Sequence, residues 1–142
     1  ELTVAGHWSA YWHNGRVYAS EIARGLDVLR LSPTAQLSEA EIAAAEAVIN
    51  AVQNPQTQER IVWEDTAHVA LSYLDQLDRS EALESRLSRA ARTLLERWED
   101  GNLSARSGRR VASNITDAAQ ELEGLDAERA EALAALLTRV AG

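Results

Sequence analysis

Tyr11–Tyr18 reads YWHNGRVY, and its centre, Asn14-Gly15, decides how the first part of the chain folds. Asn-Gly is the strongest short hairpin signal, because a two-residue type I′ turn needs positive φ at both central positions. The flanking residues alternate with period two, as strand residues do. A turn at Asn14 and Gly15 fixes the register: His13 faces Arg16, Trp12 faces Val17, Tyr11 faces Tyr18 and Ala10 faces Ala19. One face then carries Trp8, Ala10, Trp12, Val17 and Ala19. The other carries Ser9, Tyr11, His13, Arg16, Tyr18 and Ser20. A turn around Arg24 and Gly25 leads to a third strand, Leu26 to Leu31, and completes an antiparallel meander. A sheet this small is marginal alone and needs a covering layer or more strands. Trp8, Trp12 and Trp63 are therefore expected in the core.

Ser32-Pro33 ends the strand pattern, and after it the apolar period lengthens to that of a helix. Ser38-Glu-Ala-Glu41 is a capping box that opens a helix predicted to reach Val52, with Ile42, Ala45, Ile49 and Val52 on one face. Gln58 to Trp63 reads as extended, with Ile61 and Trp63 docking on other elements. Helices are predicted from Asp65 or Thr66 to Leu77, from Glu81 or Glu84 to Glu99, and from Ala105 to Glu123. A last one, capped by Asp126, carries Leu133, Leu136, Leu137 and Val140. Asp100 to Asn102 supplies a C-cap and turn. The expected fold is mainly α (α+β): a three-stranded antiparallel β-meander followed by a four- to five-helix bundle. The expected division is 1–32 for the meander, 33–79 for a helix, extended segment and helix packing on the sheet, and 80–142 for the helical bundle.

The 142 residues suffice for one ordinary domain with a sizeable core. The formal net charge of −8 argues against a nucleic-acid partner, since phosphate binding needs a basic face. All 14 basic residues are Arg, and Met, Phe and Cys are absent. No thiolate metal site, disulfide or Cys nucleophile is therefore available. A chain that lacks an initiating Met reads as a processed or trimmed piece. No stretch reads as a signal peptide or as a membrane span.

Three side-chain sets could carry chemistry. His7 and His13 lie six apart, so a regular strand would point both to one side, and Glu21 is near in sequence. These three are the candidate metal ligands, although a tetrahedral or square site wants a further donor; the plainer reading is a polar strand edge. Glu64, Asp65 and His68 share a helix face but make only one partial copy of a bundle metal motif, and acids there also suit a helix N-terminus. Arg106, Arg109 and Arg110 form a small basic cluster that reads as a solvated face paired with acids. No nucleophile elbow and no glycine-rich phosphate loop occurs. Asn114-Ile-Thr116 matches a glycosylation sequon but lies within a predicted helix.

The strongest binding candidate is the Tyr face of the hairpin: Tyr11, His13, Arg16 and Tyr18. Aromatic side chains with polar tips offer large rigid contact area to a partner.

GHWSAYWHNGRVYASEIARGLDVLRLSP, then LSEAEIAAAEAV, then NPQTQERIVW and SYLDQL, spanning roughly residues 6 to 77, resembles the C-terminal part of secreted bacterial LVIVD-repeat β-propeller proteins. There a motif of this shape ends the last blade and a helical tail follows. The resemblance implies an extracellular or cell-surface location and a binding or scaffolding role, with no catalytic residues to carry over. The blades that would complete a propeller are not in this sequence. The expectation is thus a non-enzymatic interaction module, without a cofactor, whose sheet is completed or covered by another protein chain. The rest of its own precursor is one candidate for that chain, and a homo-oligomer is another arrangement open to it. Two alternatives are a metal-dependent enzyme or metal-binding protein built on His7 and His13, and a structural subunit of a filament or surface layer.

Overall fold

The computed structural model describes residues 6–52, 54, 56–57 and 60–142. The chain divides between Trp63 and Glu64 into two compact units.

The first unit holds a three-stranded antiparallel sheet in the order β1 (His7–His13), β2 (Arg16–Glu21), β3 (Gly25–Leu29). Asn14 and Gly15 have φ of 46° and 79°, the two positive values that a type I′ turn requires. The pairs His13↔Arg16, Trp12↔Val17, Tyr11↔Tyr18 and Ala10↔Ala19 follow from that turn. Beyond Ser9↔Ser20 the register slips, and the next pair is His7↔Glu21, so Trp8 is the extra residue of a β-bulge. The third strand ends two residues earlier than the predicted Leu31.

A helix follows, α1 (Glu39–Ala47), with the expected capping box. Ser38 Oγ accepts from the Glu41 N–H at 3.2 Å, and Glu41 Oε2 accepts from the Ser38 N–H at 2.7 Å. The helix stops at Ala47 instead of Val52. Val48 and Ile49 are β-branched and weak helix formers. The next residue is held by a tertiary partner: the Asn50 N–H donates to Asn14 Oδ1 at 2.8 Å, and the Asn50 carbonyl accepts from Asn14 Nδ2 at 2.9 Å. The hairpin tip thus binds the chain in extended form where the helix would continue. Ile42 and Ala44 are buried, while Ile49 and Val52 are exposed.

The second unit is a four-helix arrangement of α2 (Ala67–Arg79), α3 (Ser85–Glu99), α4 (Ala105–Ala119) and α5 (Gly124–Val140). Each helix packs on its sequence neighbour, and α2 also packs on α5, which closes the ring. Helix α2, grouped from sequence with the sheet segment, belongs to this bundle. Leu74, Leu77, Leu95, Ile115, Leu133 and Leu137 are its fully buried large side chains.

The helix ends follow local chemistry. Thr66 and Ser104 cap α2 and α4 by accepting from Val69 and Ser107 N–H groups. Helices α2 and α3 both end in a Schellman pattern, with Ala82 N–H bonded to Leu77 O and Asn102 N–H bonded to Arg97 O. The left-handed residue is Gly101 after α3 but Glu81 after α2, at φ 55°. Helix α4 ends four residues before the predicted Glu123. Asp126 does not cap α5; it lies in its first turn and pairs with Arg129.

Between α2 and α3, Arg92 donates to Asp75 and Asp78, each at 2.7 Å, and Ser88 Oγ bonds Asp78. Asp65 takes a two-pronged contact from Arg139, at 2.6 and 2.8 Å, which ties the residue before the α2 cap to the last turn of α5.

Candidate functional site

Antiparallel pairing places directly opposed residues on one face of a sheet. Tyr11, Tyr18 and Val28 therefore form one row across all three strands, with Ser9, Ser20 and Leu26 in the row beside it. His13 and Arg16 form the row on the other side, next to the turn. The four residues singled out from sequence, Tyr11, His13, Arg16 and Tyr18, lie together on this face. Tyr11 is 46% and Tyr18 37% exposed, and Val28 and Leu26 are more exposed still. The His13 and Tyr18 rings approach to 6.4 Å between centroids in a tilted arrangement. His13 Nδ1 is buried without a hydrogen-bond partner among the described residues. Arg16 donates to the Gly15 carbonyl at 2.7 Å and lies 3.8 Å from Glu46.

The opposite face carries Trp12, Val17 and Leu29 in one row and Ala10, Ala19 and Asp27 in the next. Its buried members are Ala19 and Glu21. The expectation that Trp8, Trp12 and Trp63 form core is corrected here. Trp8 is 77% exposed because it sits at the bulge, where the alternation that would have turned it inward breaks. Trp63 is exposed and Trp12 half-buried. Ile61 and Val62 are exposed too, so the segment ending at Trp63 does not bury its apolar residues as expected; Gln58 and Glu59, where it was to begin, lie outside the described residues.

The bulge also separates the two histidines. Their partners, Glu21 for His7 and Arg16 for His13, stand five residues apart on β2 and so face opposite sides. The even spacing of His7 and His13 had placed them on one side. His7 Nε2 instead meets Asp27 Oδ2 at 2.9 Å, and Arg24 reaches the same oxygen at 2.9 Å. Together these contacts hold the Asp27 carboxyl below the usual carboxylate range.

Glu21 serves the backbone. Its carboxylate accepts from the N–H groups of Arg24, Ala23 (2.8 Å) and Gly6 (3.3 Å). These bonds, Arg24's first, outweigh desolvation and lower its pKa. The side chain thereby caps the β2–β3 turn and ties the start of β1 to it. Among the described residues no group of three or more His, Asp or Glu is placed to hold a metal ion, His7, His13 and Glu21 included. At the start of α2, Asp65 is engaged by Arg139, and His68 Nδ1 lies 3.3 Å from Glu99.

The basic cluster of α4 does not act as a unit. Arg109 donates to the Ala141 carbonyl at 2.6 Å, at the end of α5. Arg110 lines an open groove of about 760 Å³ between α3 and α4, floored by Leu87, Val111 and Leu122. That groove had no signal in the sequence beyond helix faces of mixed polarity. The sequon residue Asn114 also borders it, within regular helix.

Among the described residues no helix is long and apolar enough to cross a membrane. No protein-family model, no curated protein and no solved structure matches the chain.

Proposed function

We propose that this chain is a non-enzymatic interaction module of the cell surface or extracellular space, and that the Tyr11–Tyr18–Val28 face is where another protein chain lies. The observation that supports it is an apolar row left open across all three strands of a minimal sheet. A three-stranded sheet gains little stability alone, and a contiguous exposed apolar patch marks a contact surface. Tyr is suited to it, with a rigid ring and a hydroxyl that tolerates water before the partner arrives. His13 and Arg16 provide the polar margin beside the turn. The resemblance to the last blade of LVIVD-repeat propellers supports the location and a scaffolding role within a larger protein.

The test compares the wild-type chain with Tyr11→Ser/Tyr18→Ser/Val28→Thr. Both are immobilised and exposed to the cell-surface proteins of the producing cells, and their thermal transitions are recorded. The reading expects one or more proteins retained by the wild type and lost by the triple variant, with the bundle's transition unchanged. Equal retention by both would show that the Tyr face is not the docking surface.

A further inference from the structure

We propose that Asn14-Gly15 is a self-modification site, a deamidating Asn-Gly pair whose reaction is gated by the clamp between Asn14 and Asn50. Of the five Asn residues, Asn14 is the only one followed by Gly. A glycine nitrogen, with no side chain beside it, is the backbone nucleophile best able to reach the preceding Asn Cγ. In the reaction the Gly15 nitrogen forms a bond to Asn14 Cγ, the Cγ–Nδ2 bond breaks, and ammonia leaves carrying the glycine N–H proton. Water then opens the cyclic imide at either carbonyl, giving aspartate or isoaspartate. Water in and ammonia out balance the change, and no oxidant or cofactor takes part.

The fold holds this reaction back. Ring closure needs the side chain free to rotate until Cγ meets the Gly15 nitrogen. Instead both polar atoms of the amide are committed to the Asn50 backbone, Nδ2 at 2.9 Å from the carbonyl and Oδ1 at 2.8 Å from the N–H. Glu46 packs over Gly15, with its Cγ 3.4 Å from where a Cβ would stand.

The product cannot keep the clamp. Aspartate sets a second acceptor oxygen where Nδ2 had donated, against the Asn50 carbonyl, and adds a negative charge beside Glu46. Isoaspartate also lengthens the turn backbone, which the two-residue type I′ geometry does not accommodate. Modification therefore frees the Val48–Asn50 segment from the hairpin tip. The proposal stands independently of the partner-binding reading.

The intact chain is aged at mildly alkaline pH and each Asn followed by peptide mapping, beside a free peptide of residues 9–20. Asn50 amide exchange is compared between wild type and Asn14→Asp. Asn14 should convert before the other four Asn, at least about tenfold more slowly than in the free peptide, since the clamp must open first. Asn50 should exchange about tenfold faster or more in Asn14→Asp, with the bundle's exchange unaltered. Equal rates in chain and peptide would overturn the gating, and no conversion in the aged chain would overturn the site. Unchanged Asn50 exchange in Asn14→Asp would overturn the claimed release.

Discussion

Gly108→Ala sets two familiar effects against each other where the first turn of α4 meets the C-cap of α5. Gly108 is buried, and a Cβ built there would stand 2.8 Å from the Ala141 Cβ. Carbon atoms in good contact lie about 3.5–4.0 Å apart. Alanine is favoured over glycine inside a helix by about 1 kcal/mol. Overpacking a closed site costs about 1–3 kcal/mol. Ala141 has little freedom to retreat: it is buried, its carbonyl accepts from Arg109 at 2.6 Å and its N–H donates to Leu137 O at 3.1 Å. The cost should therefore fall in the upper part of that range, about 2–3 kcal/mol, leaving a net loss of about 1–2 kcal/mol. Urea unfolding followed by far-ultraviolet circular dichroism measures it directly. Adding Ala141→Gly to Gly108→Ala should relieve the overpacking, a coupling of about 2–3 kcal/mol. If Gly108→Ala alone stabilised the bundle by the full propensity difference, the close contact of Gly108 with Ala141 would be refuted.

Other outcomes follow from the same geometry. Glu81→Gly should stabilise by about 0.5–1 kcal/mol, because a left-handed non-glycine residue costs roughly 1–2 kcal/mol and glycine's added chain entropy offsets part of that; the urea midpoint reports it. Leu74→Ala, at a fully buried position, should cost about 3–5 kcal/mol in the same assay. Arg92→Met leaves Asp75 and Asp78 without their shared cation and should cost about 1 kcal/mol, the value for a partly exposed pair, with the deficit shrinking in high salt. Glu21 and Asp27 both have lowered pKa values in the fold, so their stabilisation is present above the ordinary carboxylate range and is lost as pH falls through the lowered values. Protection of the Ala23 and Arg24 amides, taken relative to the intrinsic exchange rate at each pH, should fall on that acidification, and Glu21→Gln should show lowered protection already at neutral pH.

The hairpin register was legible because one dipeptide permits few turns and the alternation on both sides agrees with it. The α1 start was legible because a capping box is local chemistry, completed within four residues. The α1 end was not: its stop depends on Asn14, 36 residues away, gripping the Asn50 backbone. The bulge at Trp8 was likewise hidden, since alternation in sequence carries no sign of an extra residue in one strand. That single insertion parted His7 from His13 and left Trp8 in solvent. Glu21 looked like a ligand because a carboxylate near two imidazoles suggests one; its work for three backbone N–H groups appears only once the turn and Gly6 come together. The Tyr face was readable because it follows from register alone.

Occupation of the Tyr row is tested by placing a photoreactive phenylalanine analogue at position 18, in the middle of that row, and another at position 113, an exposed site on α4. Both chains are irradiated on the surface of producing cells and resolved by mass. A protein docked on the Tyr face gives a discrete crosslinked species from position 18 and none from position 113. Irradiated chains that remain uncrosslinked at both positions, or that crosslink equally at both, would contradict that docking.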